Sequence, residues 1–68
     1  MKQLDLHGTK HAGVHKELDS FFGSANFPVV VITGQSRRMK ELVAQIAMSY
    51  GLKTKDSISN PGRVVVYE

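Results

Sequence analysis

The sequence predicts a two-layer α/β domain of order β-α-β-α-β-β, with two helices on a four-stranded mixed sheet. Three observations carry that prediction. Leu4-Asp5-Leu6-His7 alternates leucine with polar residues, the period of a half-buried strand. A β-branched run, Val29-Val30-Val31-Ile32, separates two segments whose apolar residues recur at helical spacing. A second valine run, Arg63-Val64-Val65-Val66-Tyr67, follows a Pro-Gly turn and closes the chain as a hairpin strand. With 68 residues the chain makes a single domain, 1–68. A domain of that size buries only about 60% of its unfolded surface, so a site belongs on an open face or shallow groove.

The first strand ends in Leu4-Asp5-Leu6-His7-Gly8. Leu4 and Leu6 point to one face, and Asp5 and His7 to the other, roughly 6–7 Å apart along the strand. A carboxylate and an imidazole are thus delivered to a strand end, where α/β folds place ligands. Gly8 ends the strand, and Thr9 is positioned to cap the helix that follows.

That helix is predicted from Lys10 to Phe22, with Val14, Leu18, Phe21 and Phe22 forming one apolar stripe. His11 and His15 lie one turn apart, a spacing able to hold a metal. Zinc needs further ligands, and none accompanies them in the pattern, so they read as a surface pair. Gly23 to Asn26 reads as a loop with a C-cap glycine. Phe27 to Ile32 reads as a strand lying centrally in the sheet, with Pro28 at its start, where a missing donor is tolerated.

The turn Thr33-Gly34-Gln35-Ser36-Arg37-Arg38 leads into the best-patterned helix. Ser36 is its expected N-cap, Met39, Leu42, Val43, Ile46, Ala47 and Tyr50 its apolar stripe, and Gly51 its end. A strand-to-helix turn of this kind presents backbone N–H groups and the positive end of a helix dipole. Arg37 and Arg38 add forked donors suited to phosphate. The turn is not a P-loop, since the Gly-Lys-Ser/Thr ending and the loop length are absent. Leu52 to Ile58 is a polar-faced strand, joined to the last one through Ser59-Asn60-Pro61-Gly62, with Pro61 and Gly62 central in a type II turn.

Because a β-α-β crossover is right-handed, the first two strands run parallel and share a carboxyl edge. Asp5 and His7 therefore come near Thr33, Gly34 and the amino end of the second helix. Composition narrows what that edge would meet. The chain carries nine Lys and Arg against six Asp and Glu, a formal charge of +3. No acidic residue occurs from Ser20 through Lys40, a stretch that holds Arg37, Arg38 and Lys40. Such a basic patch suits phosphate. The absence of cysteine excludes disulfides, thiolate zinc sites and a cysteine nucleophile. No signal-peptide pattern or membrane-length apolar run is present, so a cytoplasmic protein without membrane contact is expected. No small-molecule cofactor fingerprint appears.

Leu4-Asp5-Leu6-His7-Gly8 followed by an amphipathic helix resembles the first motif of the small MutS-related (Smr) domain family. Val31-Ile32-Thr33-Gly34 before a second helix resembles that family's Thr-Gly-x-Gly motif, and the valine-rich terminal hairpin its carboxyl end. The resemblance spans essentially the whole chain in order. It implies a fold like the carboxyl-terminal domain of translation initiation factor three and an endonuclease that nicks or cleaves DNA or RNA. It implicates Asp5 and His7 in catalysis, with Thr33 and Gly34 from the second motif. Joined to the basic helix start read above, it gives an expected nucleic-acid contact set of Gly8, Lys10, Thr33, Gly34, Gln35, Ser36, Arg37 and Arg38. His7 would act as general acid or base. Asp5 would orient it or hold a divalent cation such as magnesium through oxygen. The chain departs from the family at Ser36, which replaces the motif's second glycine, and in a shorter loop before the second helix.

Three readings follow: an endonuclease, a non-catalytic nucleic-acid-binding module, and a partner-binding domain that keeps the site as a remnant. Tyr67 is the one aromatic residue expected off the core and free to stack on a base. Backbone or shape recognition is therefore expected over sequence-specific single-strand readout.

Overall fold

The computed structural model describes residues 2–57 and 61–68. Its element order is β1 (Lys2–Asp5), α1 (His11–Ser24), β2 (Val29–Ile32), α2 (Arg37–Ser49), β3 (Lys53–Asp56) and β4 (Arg63–Tyr67). The strands form one mixed sheet in the order β1-β2-β4-β3, with β1 parallel to β2 and the remaining pairs antiparallel. The protein is a small α/β domain, and the predicted element order is the observed one. The proposed strand end at Ile58 and the turn through Ser59 and Asn60 lie outside the described residues.

The pleat sorts side chains into two faces. Leu6, Val29, Val31, Val64 and Val66 join Val14, Leu18, Phe21 and Phe22 of α1 and Met39, Val43 and Ala47 of α2 in one core. Both helices therefore cover the same face of the sheet. Val30 and Val65, out of phase with that set, lie on the opposite face, which no helix covers among the described residues, although Val30 itself is buried by its neighbours. β2 occupies an interior position as its unbroken valine run suggests, but only one of its faces is roofed.

The helices differ in how their ends are fixed. Ser36 caps α2 by accepting the Met39 N–H at 3.1 Å. At the other end Gly51, at φ +75°, donates to the Met48 carbonyl, and Leu52 donates to the Ala47 carbonyl. This pair is a Schellman closure, and Leu52 packs its side chain onto the core beside it. α1 has no such cap. Thr9 does not cap it: it belongs to the preceding turn, its amide donating to the Leu6 carbonyl at 2.9 Å, and the helix begins one residue too late for it to be the N-cap. Lys10 takes the N-cap position without a side-chain hydrogen bond. α1 is held by burying its stripe, and that packing carries it through Gly23 to Ser24, two residues past the predicted end.

β2 starts later than predicted. The Phe27–Pro28 peptide is cis, and pairing begins at Val29 opposite Lys2. Pro28 has no N–H to give to a ladder. Phe27 turns instead to aromatic packing, its ring centroid 5.8 Å from that of Phe22. Tyr50, predicted on the core stripe, is half exposed. It meets Phe22 edge-on at 5.5 Å and donates its hydroxyl to Asp19 of α1. Among the described residues no helix is long and apolar enough to cross a membrane.

Candidate functional site

The sequence places the first motif on a strand, but its last residues form a turn. β1 ends at Asp5, and Leu6 still donates to the Ile32 carbonyl at 2.8 Å. The chain then reverses through Leu6-His7-Gly8-Thr9, closed by the Thr9 N–H on the Leu6 carbonyl. Gly8 has φ +87°, a conformation that side chains other than hydrogen disfavour. Leu6 is fully buried while Asp5 and His7 are exposed, so the predicted division of faces holds.

Asp5 and His7 do not form a carboxylate–imidazole pair in the way the spacing suggested. Asp5 Oδ1 accepts the backbone N–H of His7 at 2.8 Å. The carboxylate fixes the turn that carries the histidine, as Asp side chains often do two residues ahead of themselves. The imidazole lies against Gly34: a Cβ built on that glycine would stand 3.0 Å from His7 Cδ2. Gly34 also sits at φ +66°. The first motif and the second motif therefore meet through the His7 ring and a glycine at which a Cβ would crowd that ring.

The turn after β2 is tied inward more than expected. Thr33 is buried, and its N–H and that of Gly34 both donate to the Gly62 carbonyl, at 2.9 and 3.1 Å. The Thr33 hydroxyl donates to the Gly34 carbonyl at 2.8 Å and approaches that of Gly62 at 3.3 Å. These amides anchor β2 to the start of β4 and are not open to phosphate. Thr33 is thus a structural residue, not a surface contact. What the turn offers outward comes from α2. The N–H groups of Arg37 and Arg38, in its first turn, find no acceptor among the described residues. Both arginines, Gln35, Ser36 and Lys10 are exposed.

An open groove of about 570 Å³ runs between the first turns of α2 and β3, lined by Gln35, Arg37, Lys40, Glu41, Lys55 and Asp56 among others. Asp5 and His7 do not line it. The predicted site is therefore split: the histidine faces the β1–β2 side of the α2 amino end, and the groove lies on the β3 side. Sequence periodicity gave no signal for this groove, because it depends on β3 returning beside α2.

His15 Nδ1 lies 3.8 Å from Asp19 Oδ2 one turn along α1. Among the described residues no group of three His, Cys, Asp or Glu side chains gathers as a metal site. The single carboxylate of Asp5, with one oxygen already accepting an amide, does not make a divalent-cation site by itself. No family model matches the chain, and no curated protein or solved structure matches it.

Proposed function

We propose that this domain binds nucleic acid at the amino end of α2 and cleaves its phosphodiester backbone with His7, as a small MutS-related endonuclease would. The observation that carries the proposal is the contact between His7 and Gly34. It joins the two stretches whose residues resemble the family's motifs, and it sets an exposed imidazole against the turn that leads into α2, the helix that opens with Arg37 and Arg38. The β-α-β-α-β-β order and the helices on one sheet face support a fold like the carboxyl-terminal domain of translation initiation factor three.

The chemistry assigned to each residue follows from its surroundings. Arg37 and Arg38, with the two amides of that helix turn, would hold a phosphate. His7 would take the proton from the attacking oxygen, of water or of a ribose 2′-hydroxyl, as that oxygen bonds to phosphorus and the bond to the leaving oxygen breaks, the leaving oxygen taking a proton from solvent water. Asp5 serves as a positioning residue, because its carboxylate accepts the His7 backbone amide and makes no hydrogen bond to the ring among the described residues. Gly8 shapes the same turn, and Lys10 adds a charge beyond it.

A second reading, binding without cleavage, draws on the same bond. Asp5 Oδ1 accepts the His7 backbone amide, and no hydrogen bond joins the carboxylate to the ring among the described residues, so the geometry carries no acid–base pair of the two side chains. One experiment separates the two. Labelled RNA and duplex and branched DNA are incubated with wild type, His7→Ala and Asp5→Asn, with cleavage and binding read from the same samples. The endonuclease reading expects cleavage by wild type, its loss in His7→Ala, and binding retained in both. Binding without cleavage in all three proteins leaves the binding module. Absence of both rejects a nucleic-acid role.

A further inference from the structure

We infer that the uncovered face of the sheet is a platform for single-stranded nucleic acid, on which Tyr67 stacks a base and Lys53, Lys55 and Arg63 hold the backbone. This rests on the nucleic-acid reading above and adds a surface that the family-like motifs do not include.

The strand register defines the face. One row across it is Gln3, Val30, Val65 and Lys55, and the next is Asp5, Ile32 and Arg63. Tyr67 pairs with Lys53 beyond them. Both helices pack on the other side, so the floor of this face is Val30, Ile32 and Val65 with one aromatic ring at its end. Lys55 Nζ stands 5.6 Å from the centroid of the Tyr67 ring. The ammonium lies over the ring, and a base stacking there would move it aside onto a phosphate, the pairing of aromatic and cation that single-strand binders use.

Charge selects the occupant. Among the described strand residues, Lys53, Lys55 and Arg63 lie on the face against one carboxylate, Asp5, with Glu68 just past Tyr67 at its edge. A second copy docked by the same face would set like charges against like charges, which costs binding energy. A polyanion with unstacked bases suffers no such penalty. The path also leads to the site. β4 runs antiparallel to β2, so Tyr67 lies at the far end and Arg63 beside Ile32, next to the Gly62 carbonyl that holds Thr33 and Gly34. From Arg63 to Tyr67 the strand covers roughly 13 Å. A chain lying along it would arrive at the edge where His7 is held.

The test is fluorescence anisotropy with labelled oligouridine and oligothymidine, for wild type, Tyr67→Phe, Tyr67→Ala, Lys53→Glu with Lys55→Glu, and Arg37→Glu with Arg38→Glu. Tyr67→Ala is expected to weaken binding roughly ten-fold, the effect of losing one base–aromatic stack, while Tyr67→Phe binds as wild type does. The lysine pair is expected to weaken binding and flatten its salt dependence. Wild-type affinity in both Tyr67→Ala and the lysine pair overturns the platform. If the arginine pair alone loses binding, the nucleic-acid reading stands without this face. If wild type binds neither oligonucleotide, both fall. Amide shifts of wild type during titration give a readout independent of variant folding. Shifts along β3 and β4 are expected, and shifts confined to the helices would overturn the inference.

Discussion

The imidazole of His7 and the α-carbon of Gly34 are packed so closely that a methyl group on the glycine would stand 3.0 Å from His7 Cδ2. These residues are 27 positions apart in the chain, and the parallel pairing of β1 with β2 brings them together. Gly34 answers two demands at once, a backbone at φ +66° and a ring on its surface. The relationship predicts a coupling. Gly34→Ala should destabilise the fold by about 1–3 kcal/mol, from the left-handed backbone together with the crowding. In a His7→Ala background the backbone cost stays and the crowding goes. A double-mutant cycle by urea denaturation should then show a coupling of about 0.5 kcal/mol or more. Strict additivity would mean that the ring does not rest on Gly34 in solution.

Asp5 offers a sharper test of role. Its Oδ1 accepts the His7 amide, and an asparagine retains an oxygen at that place. Asp5→Asn should therefore keep stability within about 0.5 kcal/mol, and Asp5→Ala should lose about 0.5–1.5 kcal/mol. If the carboxylate works by holding the turn, cleavage falls in the alanine variant and largely survives in the asparagine one. Loss of cleavage in Asp5→Asn with unchanged stability would show that the negative charge itself takes part in the chemistry.

Thr33 belongs to the frame. Its hydroxyl donates to the Gly34 carbonyl and reaches toward that of Gly62, and its side chain is buried. Thr33→Val keeps the shape and removes that donor, so a cost of about 1 kcal/mol is expected in thermal or urea unfolding. Nucleic-acid affinity should match wild type. A marked drop in affinity with normal stability would return Thr33 to the binding surface.

The contrast between Thr33 and His7 shows where sequence reading reached and where it stopped. Local signals were sufficient for the elements: Ser36 and Gly51 mark the ends of α2, and the valine runs mark β2 and β4. They also brought the two motifs to one edge, since the handedness of β-α-β units dictates a parallel pair. Hydrogen-bond partners were not legible, because they depend on turn geometry and, for Thr33 and Gly34, on what folds back from far along the chain. The amides of Thr33 and Gly34 look available until β4 brings the Gly62 carbonyl to them. The Asp5 carboxylate looks like a partner for an imidazole until the chain turns at Gly8 and offers it a nearer amide. Thr9 looks like a cap until the Leu6–Thr9 turn leaves it one residue before the N-cap position, which Lys10 takes.

Ser36 decides whether the departure from the Thr-Gly-x-Gly pattern matters. Its side chain accepts the Met39 N–H at 3.1 Å, so it is the working cap of α2. Ser36→Ala removes that acceptor and should cost about 1 kcal/mol, whereas Ser36→Gly should cost only a few tenths, because glycine is itself a tolerated cap. The glycine variant also frees the Met39 amide to join those of Arg37 and Arg38 as a donor at the helix start. Affinity for single-stranded oligonucleotides should then stay within about two-fold of wild type. A ten-fold loss in Ser36→Gly, with unfolding unchanged, would mean that the hydroxyl itself donates to a phosphate. In that case serine is an added contact at this position, and the glycine pattern is not what the grip requires.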